Sequence, residues 1–302
     1  MDYYCGWDGG GTKTEVFCMD KGGARVAGAC FGPLNINGAA RERVAETVRD
    51  CMAYMAALPG GLAACRGLTI GMAGASNIEA VNLITRLVRE YGYAGPLEVV
   101  GDSTIALEGA IRGVGAVLIA GTGAVCCGRD ATGGNVSVGG YGYLIDDGGS
   151  GYAIGRDMLA ATVRVEDGRC VGTCLADMVY EQLGISNTRQ LVTWLYSPSR
   201  GKREVAALAP LLARALEAGD AEALNIAYRA ADELAELAIT AWRRMRLDAG
   251  ELALTGSILN HFPAIRARVT ELCKAACPNM EVIEPHGTPA QGAAMLARKL
   301  EQ

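Results

Sequence analysis

Asp8 ends a short apolar run at residues 3–7 and is followed by Gly9, Gly10, Gly11, Thr12 and Lys13. Consecutive glycines let backbone N–H groups converge on an anion with no Cβ in the way. The Thr12 hydroxyl adds a donor, Lys13 adds positive charge, and Asp8 is placed to hold Mg2+ directly or through water. A second turn, Gly121-Thr122-Gly123, follows another apolar run at 115–120, 112 residues further along the chain. Either turn alone would serve equally well as a ligand-free hairpin. Two of them, each directly after a strand-like run, point to phosphate cradles. Neither a GxxxxGK[ST] loop nor a GxGxxG motif occurs, which removes the main support for a P-loop or a dinucleotide-binding Rossmann reading.

The rest of the composition narrows the chemistry. Only two histidines are present, His261 and His286, and neither has a recognisable nucleophile beside it, so carboxylates are left to carry any acid–base work. None of the eleven cysteines forms a CxxC pair. Cys170/Cys174 and Cys273/Cys277 have helical spacing and Cys126–Cys127 are adjacent, so they read as small core residues of a reduced, cytoplasmic protein. A net charge of −5 with no long basic run gives nucleic acid no foothold. No apolar run approaches membrane-spanning length, and the early charges Asp2, Asp8, Lys13, Glu15 and Asp20 exclude a signal peptide.

These residues need elements to position them. Glycine is 41 of 302 residues, 32 of them before residue 156, so the first half is rich in turns. Runs at 3–7, 14–19 and 25–31, separated by DGGGTK and DKGG, predict an antiparallel meander. Helices are expected near 39–57 and 78–91, with strands at 68–72 and 97–100 and a short helix to about 112. At 115 the pattern restarts with strands at 115–120 and 124–129 and another hairpin, which suggests two related halves. From about 155 the chain turns helical, with long apolar stripes over 203–217 and 220–246. Strands near 251–255 and 281–284 and a closing helix at 288–300 complete the reading.

In order along the chain, DGGGTKT (8–14), GDST (101–104), AGTGA (120–124), GGYGYLIDDGGSGYAIG (139–155), LTGSIL (254–259) and HGTPAQGAAMLA (286–297) resemble the BadF/BadG/BcrA/BcrD ATPase family, nearest its N-acetylglucosamine kinase branch. The resemblance implies an α/β fold of two ribonuclease H-like domains, with a nucleotide cleft between them and a hinge that closes on the sugar. It puts one domain at 1–112, the helix 288–302 packing back on it, and the other, with a helical insertion, at 113–287. It implies ATP and Mg2+ as cofactors and phosphorylation of an amino sugar, N-acetylglucosamine to its 6-phosphate. A homodimer would match the family.

Residue by residue, the resemblance puts the phosphate turns on Asp8 to Thr12 and on Gly121 to Gly123, and the adenosine-contacting turn on Gly256 and Ser257. It puts the catalytic base on Asp102, where a carboxylate at a strand end would accept the proton of an attacking sugar hydroxyl. Asp102 also reads as a helix N-cap. Sugar contacts fall on Asn35, Gly140, Tyr141 and Asp147; Asn35 and Asp147 also read as turn residues. The family loop usually reads GDEGSGYWIG, whereas this chain has Asp146, Gly148 and Ala153 in place of Gly, Glu and Trp. The altered polar groups leave the phosphate chemistry intact and bear on which sugar fits: glucosamine and N-acetylmuramic acid are alternatives. The family's other branch, iron–sulfur ATPase activators of acyl-CoA reductases and dehydratases, carries a cysteine loop that has no counterpart between residues 128 and 169.

Overall fold

The computed structural model describes residues 1–34, 40–75, 77–170 and 172–301. Its contacts divide the chain into unit 1, residues 1–112 with 285–302, and unit 2, residues 113–284.

Unit 1 is built on a five-stranded sheet of order β3-β2-β1-β4-β5, with β1 Tyr3–Gly9, β2 Thr14–Met19, β3 Arg25–Phe31, β4 Cys65–Met72 and β5 Leu97–Gly101. The first three strands form the antiparallel meander, and β4 and β5 run parallel to β1. Alternation along β1 divides its side chains between two cores. Tyr3, Cys5 and Trp7 pack under α1 (Arg41–Ala57) and α2 (Ile78–Glu90), against Val48, Met52 and Ile84 among others. Tyr4 faces the other way, with Phe17 and Met19, onto α12 (Pro289–Lys299). The strand at 65–72 is longer than the run at 68–72 predicts. Tyr3 and Tyr4 extend the ladder to Cys65 and Gly67 across a register shift.

Glycines let α12 lie unusually close. A Cβ on Gly6 would stand 2.2 Å from the Ala294 amide nitrogen, and one on Gly67 would stand 2.2 Å from the Ala297 carbonyl oxygen. On its other flank α12 meets α3 (Asp102–Ala110), where a Cβ on Gly292 would fall 2.0 Å from the Ile105 carbonyl and one on Gly109 would fall 2.4 Å from the Thr288 carbonyl. Backbone touches backbone at these four points, so no side chain larger than hydrogen fits without moving the helix.

Unit 2 repeats the arrangement. Its sheet has the order β10-β9-β6-β7-β8, with β6 Gly115–Ala120, β7 Ala124–Arg129, β8 Asn135–Gly139, β9 Gly250–Thr255 and β10 Met280–Ile283. Again three strands form a meander, and two further strands add in parallel to the first. The 25-residue helix α9 (Ala221–Met245) lies at the centre of the core, its small-residue stripe Ala227, Ala231, Ala235 and Ala238 fully buried. Between β8 and α9 come α4 (Gly151–Glu166), α5 (Leu175–Leu183), α6 (Thr188–Leu195), α7 (Lys202–Ala206) and α8 (Pro210–Glu217); α10 (Ser257–His261) and α11 (Pro263–Ala276) follow β9. The single helix expected over 203–217 is two helices. Pro210 has no N–H to continue the ladder and starts a new helix at its first position. Among the described residues no helix is long and apolar enough to cross a membrane.

Candidate functional site

In unit 1 the first glycine turn joins β1 to β2. Gly10 donates its N–H to the Lys13 carbonyl at 2.9 Å, and its own carbonyl accepts from Leu34 N at 3.1 Å, which fixes the turn against the chain that follows β3. Leu34 is fully buried and crosses directly over Gly9, where a Cβ would meet Leu34 Cδ2 at 2.7 Å. Thr12 and Lys13 are exposed at the tip. The hairpin pairs Gly9 with Thr14 and therefore Asp8 with Glu15.

The parallel strands end level with one another. Asp8 is in register with Gly71, and Gly71 with Val100, so Asp102 follows β5 on the same edge, roughly 10 Å from Asp8 by two strand spacings. Asp102 is not the N-cap of α3; that position is Gly101, and Asp102 lies exposed in the first turn with Oδ1 accepting from Ser103 N at 2.9 Å. Asp8 shows what gathers at this edge. Its carboxyl is pushed up to about 6, first by burial and then by the charges of Glu15 and Asp102, with Lys13 opposing. An excess of carboxylate charge beside a glycine turn is the donor set that Mg2+ takes when it keeps its waters and shares a phosphate ligand. Asp8 would hold it, with Glu15 adding to the field.

In unit 2 the second turn joins β6 to β7, and its hydrogen bonding is unambiguous. The Gly121 carbonyl accepts from Gly151 N at 2.7 Å, the Thr122 carbonyl from Tyr152 N at 3.3 Å, and the Gly123 carbonyl from Gly121 N at 2.9 Å. The start of α4 thus holds two of the carbonyls inward. Among the described residues the N–H groups of Thr122 and Gly123 have no protein acceptor. Adjacent backbone donors left without an acceptor, beside carbonyls that are already taken, suit an anion.

Asp147 lies beside that turn. It is 3% exposed and holds φ +64°, a left-handed conformation that a non-glycine residue adopts only under constraint. Its carboxylate accepts from Ala124 N at 3.1 Å and from Lys202 Nζ at 2.6 Å. Tyr141, with Gly140 before it at φ +80°, is 75% exposed, and its N–H donates to Asp146 Oδ2 at 3.0 Å. Asp146 therefore braces the loop onto its own start. At Gly148 a Cβ would come within 2.9 Å of the Glu233 carboxyl group on α9, so an acidic side chain occupies the space there, supplied by another element. Ser150 ends the loop by capping α4, accepting from Ala153 N at 3.2 Å.

A cavity of about 400 Å3 opens beside the second turn, lined by Gly121, Thr122 and Ser257 together with Ala206, Pro210 and Phe262. Gly256 precedes Ser257 at φ +98°, and a Cβ there would stand 2.3 Å from the Ala120 carbonyl. A largely apolar slot against a backbone anion cradle suits a flat heterocycle carrying phosphates.

Asn35, which the resemblance puts at the sugar, lies outside the described residues. Unit 1 brings Asp8, the first turn and Asp102 to one edge, and unit 2 brings the second turn, Ser257, Asp147 and the 139–150 loop together. Sequence reasoning missed Glu15, Lys202, Glu233 and the cavity wall at 206–210. Glu15 was recoverable, because the hairpin pairing fixes its place opposite Asp8. Lys202 and Glu233 carry no local signal. The cysteines are free thiols, eight of the eleven buried, and none belongs to a group of three or more His, Cys, Asp or Glu side chains able to hold a metal among the described residues.

Two five-stranded mixed sheets of identical strand order, each with a glycine turn after its first strand, define the two-domain, actin-like ATPase architecture. A crystal structure of a Chromobacterium violaceum protein shares this fold with a TM-score of 0.76 at 24% identity, covering 100% of this chain and 99% of that one. Within that class the chain belongs to the BadF/BadG/BcrA/BcrD ATPase family, which it matches over residues 5–297. It is 30% identical over 302 residues to the N-acetylmuramic acid/N-acetylglucosamine kinase of Clostridium acetobutylicum, covering 99% of each chain. It is 27% identical over 307 residues to a glucosamine kinase of Vibrio cholerae, covering 100% of this chain and 97% of the relative.

Proposed function

We propose that the protein is a cytoplasmic, ATP-dependent amino-sugar kinase that uses Mg2+ and converts N-acetylglucosamine to N-acetylglucosamine 6-phosphate. The observation that carries the reading is the second turn, whose three carbonyls all accept backbone N–H bonds while, among the described residues, the Thr122 and Gly123 N–H groups have no protein acceptor, with an apolar slot against Gly121 and Thr122. The full-length similarity to amino-sugar kinases supports the substrate class. Asp102 takes the proton of the sugar hydroxyl as its oxygen attacks the γ-phosphorus, and ADP departs. Positioning and charge neutralisation by the glycine turns and Asp8 supply most of the remaining acceleration. Asn35, Gly140, Tyr141 and Asp147 are the proposed sugar contacts.

A coupled ADP-release assay over N-acetylglucosamine, glucosamine, N-acetylmuramic acid, N-acetylmannosamine and glucose tests the reading. The highest kcat/KM is expected with N-acetylglucosamine. A preference for glucosamine or N-acetylmuramic acid would reassign the sugar, and no release with any of the five would overturn the kinase.

A further inference from the structure

The ion pair between Lys202 and Asp147 stands at the second glycine turn, and its geometry is specific. Lys202 Nζ lies 2.6 Å from Asp147 Oδ2, and a Cβ placed on Gly123 would be 2.8 Å from the same ammonium. Asp147 is almost wholly buried, whereas the Lys202 side chain remains 29% exposed. Asp147 is held by this pair and by Ala124 N, and Lys202 is the more accessible of the two partners. Gly121 and Thr122 line the slot, and the Lys202 ammonium lies at the next residue of the turn, Gly123. A nucleotide with its base in the slot and its phosphates along the turn would bring the far end of the phosphate chain to this ammonium.

We infer that Lys202 is a phosphate-binding residue of this chain, with Asp147 as the positioning residue that holds its ammonium at Gly123. The inference rests on the nucleotide reading of the second turn. A lysine neutralises phosphate charge as a point charge with rotatable donors. Its long side chain would normally give up much rotamer freedom to do so, and an existing bond to a buried carboxylate has already fixed it. Asp147 has oxygens enough to keep both donors while Lys202 turns a second N–H to the ligand.

A merely structural pair makes a different prediction. If Lys202 only neutralises buried Asp147, removing both charges should restore the site, because the cost of Lys202→Met alone is the orphaned carboxylate. The test measures binding of ATP, ADP and adenosine by calorimetry to wild type, Lys202→Met, Lys202→Arg and the Lys202→Met/Asp147→Asn double variant. Thermal melts report folding for each. Loss of one charged hydrogen bond predicts ATP binding weaker by about 10- to 100-fold in Lys202→Met, with a smaller loss for ADP, whose phosphate chain is one group shorter. Adenosine binding should be unchanged, Lys202→Arg should recover part of the loss, and the double variant should regain stability but not ATP affinity. Recovery of wild-type ATP affinity in the double variant, or an equal loss for adenosine, would overturn the inference. Failure of the wild type to bind ATP would instead remove the nucleotide reading beneath it.

Discussion

Asp8 and Glu15 stand directly opposite one another across the β1–β2 ladder, two carboxylates on one face of one hairpin. Like charges in that arrangement repel, and a fold selected for stability alone would avoid them. Burial and this repulsion together push the Asp8 carboxyl up to about 6. The hairpin is held closed by its ladder and by Leu34 over Gly9, so the cost of the pair is borne by the rest of unit 1.

That cost should be visible as a pH dependence of stability. The folded state keeps the Asp8 proton up to about pH 6, whereas the unfolded chain releases it near the ordinary aspartate value of 3.8. The folded state thus binds more protons within that window, and the contribution of Asp8 to stability falls as pH rises from about 4 to 6. The difference is on the order of 3 kcal/mol above pH 6. Asp8→Asn should therefore melt at a higher temperature than wild type at pH 7.5, with a smaller gap at pH 4.5, while losing Mg2+-dependent activity. Melting curves at the two pH values check this; an unchanged gap would remove the assignment of the repulsion to Asp8.

Asp102 is exposed, and its one bond to the start of α3, from Ser103 N, can equally be accepted by an Asn side-chain oxygen, so Asp102→Asn should leave the fold intact. Asp102→Asn is expected to lower kcat by about 100- to 10,000-fold, the range for loss of a general base. KM for both substrates should stay near wild type. Full activity in a folded Asp102→Asn protein would take the base assignment elsewhere.

Gly121 separates ligand binding from folding. A Cβ there meets only Ser257 Oγ, at 3.9 Å, so Gly121→Ala fits the folded chain. It also places a methyl group on the wall of the slot. KM for ATP should rise by about tenfold or more, the cost of a small steric intrusion, with the melting temperature within a few degrees of wild type. Unchanged ATP kinetics would move the nucleotide out of the cavity beside this turn.

Gly6→Ala should behave in the opposite way. Its methyl group would collide with the backbone of α12, and only displacement of the helix relieves that contact. A loss of about 3 kcal/mol or more is expected in urea unfolding, above the usual range for overpacking. Gly133→Ala, at a hairpin tip with φ +85° and open space around it, should cost about 1 kcal/mol from backbone strain alone.

These contrasts show which parts of the molecule could be read in advance. The meander of β1 to β3, the restart at β6 and the turn beside Asp8 are local, because alternation and turn chemistry fix them within a few residues. The fold class followed from those signals and from the motifs placed among them. The glycine excess was only partly legible. Turn glycines declare themselves by their neighbours, but Gly6 and Gly67 look like ordinary strand residues until α12, more than 220 positions away in the chain, is laid on them. The break at Pro210 was hidden by an apolar stripe that continues in phase across it. The Lys202–Asp147 pair joins a loop to a short helix 55 residues later, and no periodicity links such positions. Gly148 is the instructive case: its missing carboxylate looked like a loss, and the three-dimensional arrangement puts Glu233 in that space.

The glycine-lined seat of α12 also has a consequence for how the molecule is made. Residues 1–112 emerge from the ribosome with one face of their sheet covered only in part, by α3, and the helix that covers the rest is encoded only after all of unit 2. At about 5–20 residues per second, the 172 residues of unit 2 impose a wait on the order of 10–40 s. During that interval Tyr4, Phe17 and Met19 have no cover of their own. Unit 2, continuous in the chain, can fold first, and unit 1 closes only when the last helix arrives, which makes the nascent N-terminal sheet the natural client for a chaperone.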